Sequence, residues 1–490
     1  MEKSENLKIK TIKGLLWSFS ELLMNQGFSV VIQIILARLL MPEDFGLIGM
    51  ITIFISISTS IIDSGLSNAL IREEKIGDRE CSTVFYFNLA ISVLVYLILF
   101  FCAPYIGRFF NEGRLINILR ILAISIIIDA FGIIQRILLT RKIDFKTQTK
   151  ISILSSVISG VIGIIAAAMG MGVWSLIIRT LFMSLIQSTL LFVYNRWMPK
   201  LVFDICAFKR LFNFGWKMLI SSLMDTVYSN LYYIIIGKFF SVLDLGYYTN
   251  ACKLKDAASK SITGAVQKVS YPVLSKLNND EIRLKRGYKN ILKCTAFIIF
   301  PVMIGLAAVG KPLITAVLGE KWIPSIFYFQ ILCLEAMLYP LHVINLNILQ
   351  VKGRADLFLK LEMVKKVCGV LLIIAALCSK TGIYGILFAA IVDSYIAYYI
   401  NAFYSKSLIN YSFKEQLKDL MPILGMSFAM GISVYLFEWM ISLPNILMLI
   451  SQVILGILIY IIEGIIIKSN ELNIFINMAV KIMKKGKEIG

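Results

Sequence analysis

Fourteen runs of about 20 mostly apolar residues recur along the chain, near 12–39, 43–66, 82–105, 115–138, 148–170, 172–195, 209–238, 245–275, 287–310, 323–350, 358–379, 382–405, 417–438 and 445–468. In hydrocarbon, backbone N–H and C=O groups find no water, so a chain crosses as helices that satisfy those groups internally, or as a closed barrel. The runs here are continuous and do not alternate with period two, which excludes the barrel. The sequence therefore predicts an all-α polytopic membrane protein with about 14 transmembrane helices. The run at 245–275 is the least typical, because it holds several lysines. Composition agrees, with 58% hydrophobic and 16% charged residues in 490. Soluble chains have about 45–50% and about 25%. A disordered chain, a secreted disulfide scaffold and an ordinary cytosolic enzyme are excluded.

The formal charge of +19 would suggest nucleic acid on a soluble protein. Here it encodes topology, and no nucleic-acid partner is expected. With each Lys and Arg assigned to the tail or connection it borders, the two tails and the even-numbered connections hold 36 of the 49 and the odd-numbered ones hold eight. The other five, Arg179, Lys253, Lys255, Lys260 and Lys268, fall inside spans. Basic residues mark cytoplasmic loops, so both termini are expected in the cytoplasm. The eight cysteines form no C-x-x-C pair and His342 stands alone. No metal site is expected, and the cysteines read as reduced packing residues. No cleavable signal peptide is expected in the N-terminal segment.

The chain repeats itself. Ile34-Ile35-Leu36-Ala37-Arg38, followed by Asp44-Phe45-Gly46, matches Ile234-Ile235-Ile236-Gly237-Lys238, followed by Asp244-Leu245-Gly246, at an offset of 200. Gly172-Val173-Trp174 similarly matches Gly382-Ile383-Tyr384, and Arg141-Lys142-Ile143-Asp144 matches Gly353-Arg354-Ala355-Asp356. Six spans separate the copies, so both have the same orientation. This divides the chain into a six-helix lobe at 1–198, a second at 199–406, and an appended helix pair with a basic tail at 407–490. Transporters built from parallel repeats bind substrate where the halves meet and work by alternating access.

Two six-helix lobes plus a C-terminal helix pair resemble the multidrug/oligosaccharidyl-lipid/polysaccharide exporter superfamily. Within it, the Trp17 helix, the segment Ala37-Arg38-Leu39-Leu40-Met41-Pro42-Glu43-Asp44-Phe45-Gly46 and the later Gln350-Val351-Lys352-Gly353-Arg354-Ala355-Asp356 resemble the polysaccharide transport family of Wzx-type flippases. The resemblance implies a substrate of undecaprenyl-diphosphate-linked oligosaccharide, as in O-antigen, capsule or exopolysaccharide assembly. It also implies the bacterial inner membrane as location, and a polysaccharide polymerase and chain-length machinery as partners besides membrane lipids. A multidrug or cation antiporter of the same superfamily is the alternative.

Ionisable residues at a helix centre cost about 2.5–3.5 kcal/mol on insertion scales, so they should face a cavity or a partner. At about 100° per residue, Lys253, Asp256, Lys260 and Lys268 share one face of the 245–275 helix, and Lys255 points away. This stripe suits a diphosphate or an acidic sugar, and Arg179 is a further candidate cation for the cavity. Thr52, Ser56 and Asp63 share a face of the second helix and suit sugar hydroxyls. Glu21, Asn25 and Asp225 are candidates for coupling to H+ or Na+. Asp129 and Glu335 are further intramembrane acids. Arg283, Lys285, Arg286 and Lys289 read as anchors to anionic headgroups. Lys481, Lys484, Lys485 and Lys487 read as part of an amphipathic surface helix starting near Glu471. No nucleotide-binding signature and no nucleophile–base pair is present, so neither a cofactor nor catalysis is expected. A membrane glycosyltransferase or polymerase would need a sizeable loop with catalytic carboxylates, and the connections are short.

Overall fold

The structure, a computed structural model, describes residues 26–477 except 64, 74 and 75. Among the described residues there is no strand. Packing divides the chain into two compact units, Met1–Thr249 and Asn250–Gly490. This is a division by contact, distinct from the division into lobes by repeat.

The first unit holds α1 (Gln26–Leu39), α2 (Pro42–Asp63), α3 (Leu66–Arg72), α4 (Asp78–Phe110), α5 (Leu115–Leu122), α6 (Ile124–Arg141), α7 (Phe145–Ala168), α8 (Val173–Asn195), α9 (Ile205–Ser229) and α10 (Leu231–Phe239). Helix α11 (Val242–Leu277) runs from the first unit into the second. The second unit continues with α12 (Glu281–Ala308), α13 (Gly310–Val317), a 3-10 turn at Glu320–Trp322, α14 (Ser325–Ala336), α15 (Tyr339–Val351), α16 (Ala355–Cys378), α17 (Gly382–Phe403), α18 (Ser405–Ile409), α19 (Phe413–Met440) and α20 (Asn445–Ile466).

The expected spans fall on helices where described, those at 115–138, 209–238 and 323–350 each on two. Ten helical segments are long and apolar enough to cross a membrane, and Gln26–Leu39 is a shorter apolar helix. The expected spans at 209–238, 245–275 and 358–379 fold as α9–α10, α11 and α16, which are not among the ten. The last two carry lysines that lower the apolar average. Outer faces are apolar, with Leu97, Ile98 and Phe101 of α4 and Ile457, Leu458 and Ile461 of α20 exposed, as expected where lipid is the solvent.

The repeat is visible in the backbone. Helix α1 ends at Leu39 and α2 begins at Pro42; α10 ends at Phe239 and α11 begins at Val242. The Met41 N–H donates to Asp44 at 3.0 Å, and the Ser241 N–H donates to Asp244 at 3.3 Å. The aspartate of the repeated motif thus holds the same turn twice. The glycines two residues on sit where the two helix starts cross. A Cβ on Gly46 would lie 2.0 Å from the Val242 carbonyl oxygen, and one on Gly246 would lie 2.0 Å from that of Pro42. A second backbone constraint ends α2: Gly65 has φ +64°, and a Cβ there would lie 2.2 Å from the Gly215 carbonyl oxygen of α9.

In the second unit the appended helices are clamped to α12. Lys289 pairs with Asp419 at 2.7 Å, Lys293 with Glu471 at 2.6 Å and Lys285 with Glu415 at 3.8 Å. Arg283 pairs with Asp280 at 3.1 Å. Of the four residues read as headgroup anchors, Arg283, Lys285 and Lys289 also have protein carboxylates as partners, while Arg286 is exposed. The eight cysteines are free, with Cys81, Cys252 and Cys333 buried. Cys206 and Cys378 are exposed, so these two are not packing residues. The tail lysines from Lys481 onward lie outside the described residues, though residues 470–477 are helical.

Candidate functional site

Helix α2 carries hydroxyls at Thr52, Ser56, Thr59 and Ser60, and α9 carries Ser221, Ser222, Thr226 and Ser229. These recur at helical spacing, so each helix presents a polar edge. The two edges meet in the first unit. Ser60 Oγ and Thr226 Oγ1 are 2.9 Å apart. Around them lies a groove of about 490 Å³ that includes Ser56, Asn68, Ser222, Asp225 and Asn230. Several hydroxyls already donate to their own helix, Thr59 to Ser56 O at 2.9 Å and Ser229 to Asp225 O at 2.7 Å, and so present lone pairs outward. The groove offers hydroxyls, amides and one carboxylate, the inventory that hydrogen-bonds to a polyhydroxylated ligand.

The sequence candidates distribute unevenly around this groove. Ser56 and Asp225 line it. Thr52 does not, and its hydroxyl donates to Ile48 O at 2.8 Å. Asp63 lies in a separate cleft beside α6 and accepts the Ser67 hydroxyl. Arg179 lies in neither. Its aliphatic stem crosses Gly163 of α7, where a Cβ would be 2.8 Å from Arg179 Cβ, and its Nε has no hydrogen-bond partner. Glu21 and Asn25 lie outside the described residues. The groove residues that sequence reasoning missed are Ser60, Asn68, Ser221, Thr226 and Asn230. The i, i+4, i+8 runs Ser222-Thr226-Asn230 and Ser221-Asp225-Ser229 were the available signal.

The second unit has a different chemistry. On α11, Lys253 and Lys260 are exposed, Asp256 and Lys268 are half-buried, and Lys255 is buried. Asp256 bridges two lysines, Lys260 at 2.7 Å and Lys255 at 3.1 Å. The Lys255 ammonium also lies 3.3 Å from Glu335 and 5.0 Å above the Tyr339 ring, and the Tyr339 hydroxyl donates to Glu335. Lys255 points away from Lys253 and Lys260 as the helical angle predicts, but into an ion-paired core. Glu335 and Tyr339 complete a cluster that no local spacing could reveal, because they are about 80 residues from Lys255. His342 is a satisfied core group, with Nε2 3.5 Å from Ser394 Oγ and Nδ1 3.3 Å from Asn401 Nδ2.

A family model described as "Polysaccharide biosynthesis protein" matches residues 35–327. The chain belongs to that family. It is 32% identical to the teichuronic acid biosynthesis protein TuaB of Bacillus subtilis, over 61% of this chain and 62% of the relative. It is 23% identical to the lipopolysaccharide biosynthesis protein WzxC of Escherichia coli, over 87% and 89%. It is 25% identical to the succinoglycan biosynthesis transport protein ExoT of Rhizobium meliloti, over 60% of each chain. Among solved structures, the lipid II flippase MurJ in an inward closed conformation aligns with TM-score 0.76 at 17% identity, covering 93% of this chain and 98% of that one. An inward-facing multidrug-resistance transporter of the MATE family aligns with TM-score 0.63 at 17% identity, over 79% and 94%. The fold is that of this transporter group, and the chain is a multi-pass membrane protein.

Proposed function

We propose that this family member is a flippase that moves a lipid-linked oligosaccharide from the cytoplasmic to the periplasmic leaflet of a bacterial inner membrane, by ion-coupled alternating access. The observation that carries the reading is the presence of two polar chemistries, one in each unit. The α2–α9 groove suits sugar hydroxyls, and the exposed Lys253 and Lys260 of α11 suit a diphosphate. Charge-assisted hydrogen bonds to phosphate are roughly twice as strong as neutral ones. The polyprenyl tail stays in the bilayer, since drawing it into a polar cavity would oppose the hydrophobic effect. The relatives' names, which include teichuronic acid, lipopolysaccharide and succinoglycan synthesis, support a glycan substrate. The reading takes fourteen crossings, two repeat lobes and cytoplasmic termini, and a polymerase as the consumer of the flipped unit.

The test is glycan export in a strain lacking the gene. Lys253→Ala and Lys260→Ala should reach the membrane at wild-type levels and fail to restore export, and Ser60→Leu should do the same by filling the groove. Export at wild-type levels by all three variants would reject the reading. Drug resistance conferred by the intact protein, without glycan export, would favour the antiporter instead.

A further inference from the structure

The cleft that receives Asp63 is separate from the hydroxyl groove and has its own chemistry. It lies within the first unit between α2–α3, α6 and α8, with a volume of about 580 Å³. A water's share of the liquid is about 30 Å³, so the cleft has room for roughly twenty waters. Along α6 it extends from Ile126 to Thr140, past Asp129 and Arg136. Asp129 to Thr140 is about 16 Å of helix at 1.5 Å per residue, or roughly half the hydrocarbon thickness. Asp129 thus sits deep in the membrane segment, and the cleft leads from it to the basic end of α6.

Across the cleft α8 presents Ser184, whose hydroxyl is in hydrogen-bonding reach of the Asp129 carboxyl, and Gln187. Asp129 makes no ion pair among the described residues. The other charges lining the cleft are Arg136 and Asp63. Arg136 is seven residues along the same helix, about 10 Å of rise, and lines the same cleft. Asp63 is engaged by Ser67. At the same end of α6, Arg141 donates to the carbonyls of Leu70, Ile71 and Glu73. On α3, Arg72 lies over the Phe214 ring.

An intramembrane carboxylate is costly unless it is wet, paired or neutralised. Here a cleft with room for water reaches it, and among the described residues no cation pairs with it. We propose that Asp129 carries the coupling proton of the first unit and that the cleft is its access path from the cytoplasmic side. The carboxylate takes a proton from water in the cleft, becomes a neutral carboxyl hydrogen-bonded to Ser184, and returns the proton to water when the helices rearrange. A proton needs one oxygen lone pair, whereas a metal cation would need several oxygens and would share the cleft with the Arg136 guanidinium. The proposal deepens the ion-coupled part of the proposed function. Its test needs no substrate, so its outcome is separate from that of glycan export.

The purified full chain in proteoliposomes is placed on a sensor that reads charge displacement after a solution jump. A pH jump should give a transient displacement. Asp129→Asn should abolish it, and Asp129→Glu should retain it with a shifted pH midpoint. A sodium jump at fixed pH should give none. An unaltered displacement in Asp129→Asn overturns the proposal, as does a sodium-driven displacement that this variant removes. If Asp129→Asn does not fold, the Glu variant decides, since an unshifted midpoint also overturns it.

Discussion

Lys255 and Lys260, five positions apart on α11, share Asp256 as a partner, yet their removal should have opposite consequences. Lys255 is 5% exposed and neutralises Glu335 as well. Removing one member of a buried ion pair leaves an uncompensated charge and costs about 3–5 kcal/mol. Lys255→Ala should therefore lower the unfolding midpoint in detergent markedly, and adding Glu335→Gln should recover much of the loss. Lys260, with a side chain 69% exposed, should lose no more than about 0.5 kcal/mol on mutation to Ala. An equal loss in both single variants would contradict this assignment. The helical angle alone separated the two faces of α11. It placed Lys255 off the stripe without showing what it meets there. A helical wheel says where a residue points along its own helix, but not that Glu335 waits there.

At the scale of elements, punctuation was the most legible feature. The Asp44 and Asp244 turns, with their offset of 200, could be read from sequence, and the helix starts at Pro42 and Val242 follow them. The reason for the glycines was not legible, because it depends on two helix starts crossing. A Cβ at Gly246 meets a backbone oxygen, which cannot swing aside as a flexible side chain could. Overpacking typically costs 1–3 kcal/mol, so Gly246→Ala and Gly46→Ala should each destabilise by about that much in thermal unfolding. Gly113→Ala, with open space around its Cβ, should be near neutral. Equal behaviour of the three would mean the crossing is loose. The lysines of α12 teach the converse lesson. A basic cluster near a membrane boundary reads as an anchor, but Lys289 and Lys293 are committed to Asp419 and Glu471. Lys293→Ala should loosen residues 470–477, seen as faster proteolysis there with the α12 core intact.

For the whole molecule, apolar length and the basic-residue count gave the helical membrane class, while the number of crossings was harder to read. The segments that fall short of an apolar span include α9–α10 and α11, which carry much of the polar chemistry of the candidate sites. A helix facing a wet groove can be polar on that side and still cross, so composition and crossing separate where function sits. Two native cysteines offer a direct measurement of topology. Cys206 and Cys378 are both exposed. Cys206 follows the sixth expected span, in an even-numbered connection, and Cys378 closes the eleventh, beside an odd-numbered one. With both tails cytoplasmic, an impermeant thiol reagent should label Cys378 in spheroplasts and reach Cys206 only after permeabilisation. Single Cys206→Ser and Cys378→Ser variants would identify each signal against the half-buried cysteines. The reverse order would invert the orientation. Labelling of both from outside would mean an odd number of crossings between residues 206 and 378 has been mistaken, and the parallel relation of the repeats would fail with it.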